Sequence, residues 1–221
     1  MSSPTAPKQT GAGLPGSAKR RIPFVAIVGA VVVVAGVLAI ILSRGSDDPA
    51  PAGTEQTRPV VVTGSPLPEY EADATPDPAV GKEIPGLAGE NFAGDPVRIA
   101  PNGKAKVVIF VAHWCPHCQR EVPILAPDLR DEPLPAGVEA FAVSTAVDPA
   151  APNYPPSEWL AGVDWPTPIL ADDAQRKAST AYGLSAFPYF VFVNADGTVS
   201  SRVTGEIPVS EFRSRIADLE R

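Results

Sequence analysis

Lys106-Val107-Val108-Ile109-Phe110-Val111-Ala112 runs directly into His113-Trp114-Cys115-Pro116-His117-Cys118-Gln119-Arg120-Glu121-Val122-Pro123. The first part is a continuous β-branched and aromatic run, the pattern of a strand buried on both faces. The second part holds both cysteines and both histidines of the protein within six positions. A helix is expected to follow from the Cys115 region, bent at Pro123.

The elements on either side complete an α/β pattern. Val97–Ile99 reads as a short strand before the Asn102-Gly103 turn, Val138–Thr145 as a second long strand, and Thr167–Leu170 as another. Ser157 is placed to cap a short helix. Asp172 with Gln175 resembles a capping box opening a helix to about Tyr182, stopped by Gly183. Tyr189–Val193 and Thr198–Val203 flank Asn194-Ala195-Asp196-Gly197, a hairpin signal. Pro208 suits the start of a last helix, in which Val209, Phe212, Ile216 and Leu219 share one face. Strands alternating with helices and ending in a hairpin indicate a mixed β-sheet flanked by helices.

Upstream the texture is different. Phe24 to Leu42 is nineteen residues without a charge, about 28 Å as a helix and close to the roughly 30 Å of a bilayer's hydrocarbon layer. It exceeds the apolar core of about 7–15 residues in a cleaved signal peptide, and Asp47 and Asp48 precede a cleavage-like site, Ala50-Pro51-Ala52. Residues 22–42 are therefore expected to be a transmembrane signal-anchor. Lys8, Lys19, Arg20 and Arg21 face no acid in residues 1–21, so the positive-inside rule puts that tail in the cytoplasm and the rest outside it. Residues 43–79, with seven prolines and seven acids, read as a disordered tether of about 35 Å. The folded domain is then expected over 80–221, enough for one core.

Charge narrows the function classes. The net charge is −7, and beyond residue 21 the chain has 14 basic residues against 25 acids. A general nucleic-acid binder does not fit this balance, because phosphate recognition favours a basic face. Two cysteines also exclude a disulfide scaffold and a four-cysteine zinc site.

Cysteines three apart at a helix start can close a small disulfide ring without rearranging the fold. Cys115, nearer the helix N-terminus, feels its unpaired N–H groups and partial positive charge, which favour the thiolate. It is the expected attacking sulfur, with Cys118, one turn on, resolving. Two alternatives use the same residues. A structural disulfide would constrain little of the unfolded chain across so short a ring. A metal-binding or metal-delivery module would use His113, Cys115, His117 and Cys118, although adjacent His117 and Cys118 diverge on a helix. A c-type haem requires histidine directly after the second cysteine, where Gln119 stands.

A buried strand ending in Trp114-Cys115-x-x-Cys118, a helix, and Phe187-Pro188 before a later strand together resemble the thioredoxin superfamily over about residues 80–221. Cys115-x-x-Cys118-x-x-Glu121-x-Pro123, with an extra segment around 148–166, is similar to the membrane-anchored TlpA/ResA group of extracytoplasmic thiol–disulfide oxidoreductases. The resemblance implies a thioredoxin-like fold, a cis Pro188, and a client peptide bound beside Cys115 by Trp114, Phe187 and Pro188. It implies protein thiol or disulfide clients, apocytochrome c among them, a membrane redox partner that recycles the Cys pair, and no cofactor or metal.

Two departures stand out. The buried acid that thioredoxins carry six residues before the first cysteine is here Ile109, so the resemblance passes proton management for Cys118 to Glu121. Pro116-His117 resembles the strongly oxidising DsbA enzymes instead. His117, four residues from Glu121, is placed to pair with it and to stabilise the Cys115 thiolate. The overall expectation is a single-pass protein of the cytoplasmic membrane with an extracytoplasmic oxidoreductase domain. A non-catalytic adaptor is the remaining alternative.

Overall fold

The computed structural model describes residues 55–219. The expected cytoplasmic tail, the anchor and the tether up to residue 54 lie outside the described residues. Among the described residues no helix is long and apolar enough to cross a membrane.

The elements in chain order are β1 (Val61–Thr63), β2 (Gly86–Glu90), β3 (Pro96–Ile99), β4 (Ala105–Val111), α1 (Pro116–Asp131), β5 (Val138–Ser144), α2 (Pro156–Ala161), β6 (Ile169–Ala171), α3 (Lys177–Ala181), β7 (Tyr189–Val193), β8 (Val199–Thr204) and α4 (Val209–Asp218). The main sheet has the order β6-β5-β4-β7-β8, and β1-β2-β3 form a second, smaller sheet. β4 and β5 are parallel, with Val107 opposite Ala140 and Ile109 opposite Ala142, and β6 continues parallel to β5. β4 and β7 are antiparallel, with Ile109 opposite Phe190, and the β7–β8 hairpin closes that edge. The sheet is mixed, as the alternation of elements requires.

β4 is the central strand, and its pleat divides the core in two. Val107, Ile109 and Val111 pack with Val122, Leu125 and Leu129 of α1, Phe190 and Phe192 of β7, and Phe212 and Ile216 of α4. Val108 and Phe110 point the other way, to Leu87, Ile99, Leu170, Tyr182, Tyr189 and Val191. The unbroken apolar run follows from this, because neither face of β4 meets water. Helix α1 keeps two internal prolines, Pro123 and Pro127, each of which removes a backbone donor.

The tether expectation fails from residue 55 onward. Val60, Leu67 and Ala79 are buried, and β1 pairs antiparallel with β2 through Val61↔Ala88. Leu67 N–H donates to Ala181 O and Tyr70 N–H to Gly183 O at 2.9 and 2.8 Å. The buried Arg202 guanidinium binds both carboxylate oxygens of Asp77, Nε at 2.9 Å, and donates to Pro68 O at 2.8 Å. The Tyr70 ring lies 5.3 Å from its central carbon. Gly183, at φ +71°, is needed here because a Cβ would fall 2.1 Å from Pro68 O. This segment is held by backbone pairing and one distant arginine, so its low apolar content is no measure of its order.

Two helix starts also differ from expectation. α2 is preceded by Pro155, and it is Gln56, not Ser157, that caps it, its Oε1 accepting the Ser157 N–H at 3.0 Å. α3 begins at Lys177 behind Arg176 in the left-handed conformation, later than an Asp172–Gln175 box would place it. Asp172 still serves that helix from outside, accepting the N–H groups of Ala178 and Ser179 at 2.9 and 3.1 Å and the Thr145 hydroxyl at 2.7 Å.

Candidate active site

The C-terminal end of β4 delivers the Cys pair to the start of α1. Cys115 is the N-cap residue, with extended backbone, and Pro116 occupies the first turn, where a missing N–H costs nothing. Cys115 N–H donates to Ala112 O at 3.0 Å, closing the turn out of the strand. Both thiols are free. Cys115 keeps 6% of its surface exposed and Cys118 none, the asymmetry expected of an attacking and a resolving sulfur. Burial pushes the Cys118 thiol far above the ordinary range against the pull of an Ala112 backbone hydrogen bond, and the charges of Cys115 and Glu121 add to the rise.

Across from Cys115 stands the Phe187–Pro188 peptide, which is cis. The Cys115 thiol points at Phe187 O, 3.9 Å away. The Trp114 ring meets the Phe187 ring edge-on at 5.8 Å, and its Nε1–H donates to Ala146 O at 2.7 Å. Trp114, Phe187 and Pro188 thus come together around the more exposed sulfur, where the resemblance puts them.

The two histidines part company. His113 is fully buried. Its Nε2 faces the Asp148 N–H at 3.2 Å, which can only donate, so its Nδ1 carries the proton shared with Pro152 O at 2.7 Å. Its carbonyl accepts from Gln119 and Asn153 at 3.1 and 3.2 Å. His113 therefore ties the 146–154 segment to the active-site turn and has no ring nitrogen left for a metal. Among the described residues no three His, Cys, Asp or Glu side chains are grouped to hold an ion, so the geometry does not fit the four-ligand alternative.

His117 is exposed and does not pair with Glu121. Its Nδ1 lies 2.7 Å from Glu206 Oε1, and Arg120 reaches the same oxygen at 2.6 Å. The spacing of four that suggested a His117–Glu121 pair fails because Glu121 turns into the protein. Glu121 is 3% exposed and accepts the Ile207 N–H at 3.3 Å. Burial raises its carboxyl above the usual carboxylate range, the Ile207 N–H works against that, and the nearby Glu206 charge adds to it. Ile109 is fully buried in the apolar core, so Glu121 is the buried acid on this side of the pair. Glu206, 89 residues from His117 in sequence, carries no motif that would reveal it. Arg120 stands two residues after Cys118, but its role depends on Glu206.

The Redoxin family model matches residues 79–216. The chain belongs to the Redoxin family. Among solved structures, this redoxin is similar to a secreted Mycobacterium tuberculosis disulfide oxidoreductase homologous to E. coli DsbE, with 26% identity, a TM-score of 0.50, and coverage of 60% of this chain and 95% of that one. A thioredoxin-family thiol:disulfide interchange protein from Chlorobium tepidum shares the fold, with 19% identity, a TM-score of 0.52, and coverage of 62% and 94%. So does StoA from Bacillus subtilis, with 19% identity, a TM-score of 0.50, and coverage of 62% and 98%. No curated protein matches. These findings agree with the TlpA/ResA resemblance, and the redoxin is a thiol–disulfide oxidoreductase of thioredoxin-like fold.

Proposed function

We propose that this redoxin works outside the cytoplasmic membrane, held there by residues 22–42, and exchanges the Cys115–Cys118 disulfide or dithiol with protein clients. The observation that supports the exchange best is the placement of Cys115: at the N-cap of α1, the more exposed of the two sulfurs, 3.9 Å from Phe187 O beside Pro188, with Cys118 fully buried behind it. The anchor and its orientation rest on the uncharged run and its one-sided basic flank.

In the reducing direction the Cys115 thiolate attacks one sulfur of a client disulfide. A mixed disulfide forms and the other client sulfur leaves as thiolate. Cys118 then loses its proton and attacks the Cys115 sulfur, closing the Cys115–Cys118 bond and releasing the second client sulfur. The client gains the two electrons the pair loses. Glu121 takes the Cys118 proton: it is buried, electrostatically coupled to that thiol, and burial makes it a stronger proton acceptor than an ordinary carboxylate. The oxidising direction is the same sequence reversed, with the pair recycled by a membrane redox partner. Pro116-His117 tilts the couple toward oxidation, so the reduction potential lies above the roughly −270 mV of thioredoxin, and His117→Ala lowers it.

The test uses Cys118→Ser in membranes of the native host. Covalent adducts should accumulate through Cys115, disappear with reductant, and be absent from Cys115→Ser/Cys118→Ser. Absence of adducts would leave the adaptor standing, and a soluble mature protein starting near Gly53 would remove the anchor from the proposal.

A further inference from the structure

Three consecutive residues between β8 and α4 each meet a different part of the site. Gly205 N–H donates to Pro188 O at 2.9 Å. Glu206 Oε1 faces His117 at 2.7 Å and Arg120 at 2.6 Å. Ile207 N–H donates to Glu121 Oε1 at 3.3 Å. The two flanking backbone bonds pin the segment between the Phe187–Pro188 peptide and α1, which fixes the Glu206 carboxylate over the first two turns of that helix. The same Glu206 oxygen lies within reach of Arg120 and of His117 Nδ1, and Arg120 also stands 2.9 Å from that nitrogen.

Both side chains follow the attacking sulfur on the first turns of α1, His117 two residues after Cys115 and Arg120 five. A cation near Cys115 stabilises the thiolate and with it the reduced form, which raises the reduction potential. Glu206 opposes this. It is an anion under ordinary conditions, because the Arg120 hydrogen bond first and the His117 contact second hold its carboxyl below the usual carboxylate range.

We propose that Glu206 is a positioning residue that sets the redox poise of the Cys pair, cancelling the positive charge of Arg120 that would otherwise favour the reduced enzyme. This rests on the exchange reaction proposed above. Its role is to keep the Arg120 cation from raising the potential of the couple further.

The experiment measures the equilibrium of the Cys115–Cys118 pair in the full chain against glutathione: oxidised enzyme plus two glutathione thiols gives the dithiol and glutathione disulfide, two electrons passing to the pair. Glu206→Gln keeps the side-chain size and both flanking backbone bonds while removing the negative charge. It should move the constant toward reduced enzyme by about threefold, ~14 mV for a couple in which tenfold is about 30 mV. Arg120→Gln breaks the same ion pair from the other side and should move the constant the opposite way. Both shifts should fade in 1 M salt, where the screening length is only about 3 Å. Shifts of the same sign, or shifts that persist in high salt, would mean that Glu206 is only a loop fastener and would overturn the proposal. A pair that does not equilibrate with glutathione at all would overturn the exchange reaction itself, and this proposal with it.

Discussion

Arg202→Met is the substitution that most directly tests how the early segment is held. The arginine side chain is fully buried and its partner Asp77 nearly so. Besides Asp77, Arg202 satisfies Pro68 O at 2.8 Å and lies 3.0 Å from the Tyr189 hydroxyl oxygen. Methionine replaces the stem but leaves a mostly enclosed carboxylate and an unpaired carbonyl. Removing one partner of a buried pair costs about 3–5 kcal/mol. Asp77 retains some access to water, so about 3–4 kcal/mol applies. At roughly 2–4 °C per kcal/mol for a domain of this size, the melting temperature should fall by about 6–16 °C. Thermal unfolding followed by circular dichroism measures this, and limited proteolysis should cut first between residues 66 and 80. The loss should also depend on pH. Arg202 holds the Asp77 carboxyl below its ordinary value of 3.8, so the pair stabilises the fold above that value and the contribution disappears as pH falls through the native one. Wild type and variant should therefore converge in acid. A melting temperature within 2 °C of wild type at neutral pH, with the segment still protected, would refute the assignment of Arg202 as the clamp.

The remaining predictions concern the site. Alkylation of the reduced protein at neutral pH should modify Cys115 first and Cys118 slowly, because Cys118 is sealed off and burial holds it as a thiol; earlier labelling of Cys118 would reverse their roles. Glu121→Gln should slow release of the mixed disulfide in stopped-flow turnover yet match or exceed wild type in neutral-pH stability. The reason is that a carboxyl raised by burial loses stability as pH rises from its unfolded toward its folded value. That stability difference should vanish below the ordinary carboxylate range, and an unchanged turnover rate would remove Glu121 from proton transfer.

What was legible in the sequence followed from local pattern. The run from Lys106 to Ala112 identified the central strand because burial on both faces leaves no polar position to interrupt it. Cys115, Cys118, Trp114 and Pro188 came from spacing and resemblance, and the structure brings them together. What stayed hidden depends on contacts far apart in the chain. β2 is Gly-Leu-Ala-Gly-Glu, too poor in β-branched residues to signal a strand, and it forms because β1 and β3 pair with its two edges. The 55–79 segment looks like a linker by composition, yet Arg202, 125 residues beyond Asp77, gives it a polar anchor that no local window contains. The His117–Glu121 spacing was compatible with a pair, but helical spacing cannot tell that one of the two side chains turns inward.

The opposite environments of the two histidines give the enzyme a built-in pair of spectroscopic reporters. His113 is sealed beneath the 146–154 segment with an Nδ1 proton held by Pro152 O, while His117 meets solvent on the rim. The two imidazoles belong to the active-site turn and are the only ones in the chain, so every imidazole resonance reports on that turn without isotope labelling or assignment by mutagenesis. The buried Nδ1–H of His113 reports the integrity of the packed side, and the carbon-bound protons of His117 report charge on the open side. One sample, titrated with glutathione, then reads disulfide state, loop order and rim electrostatics at once.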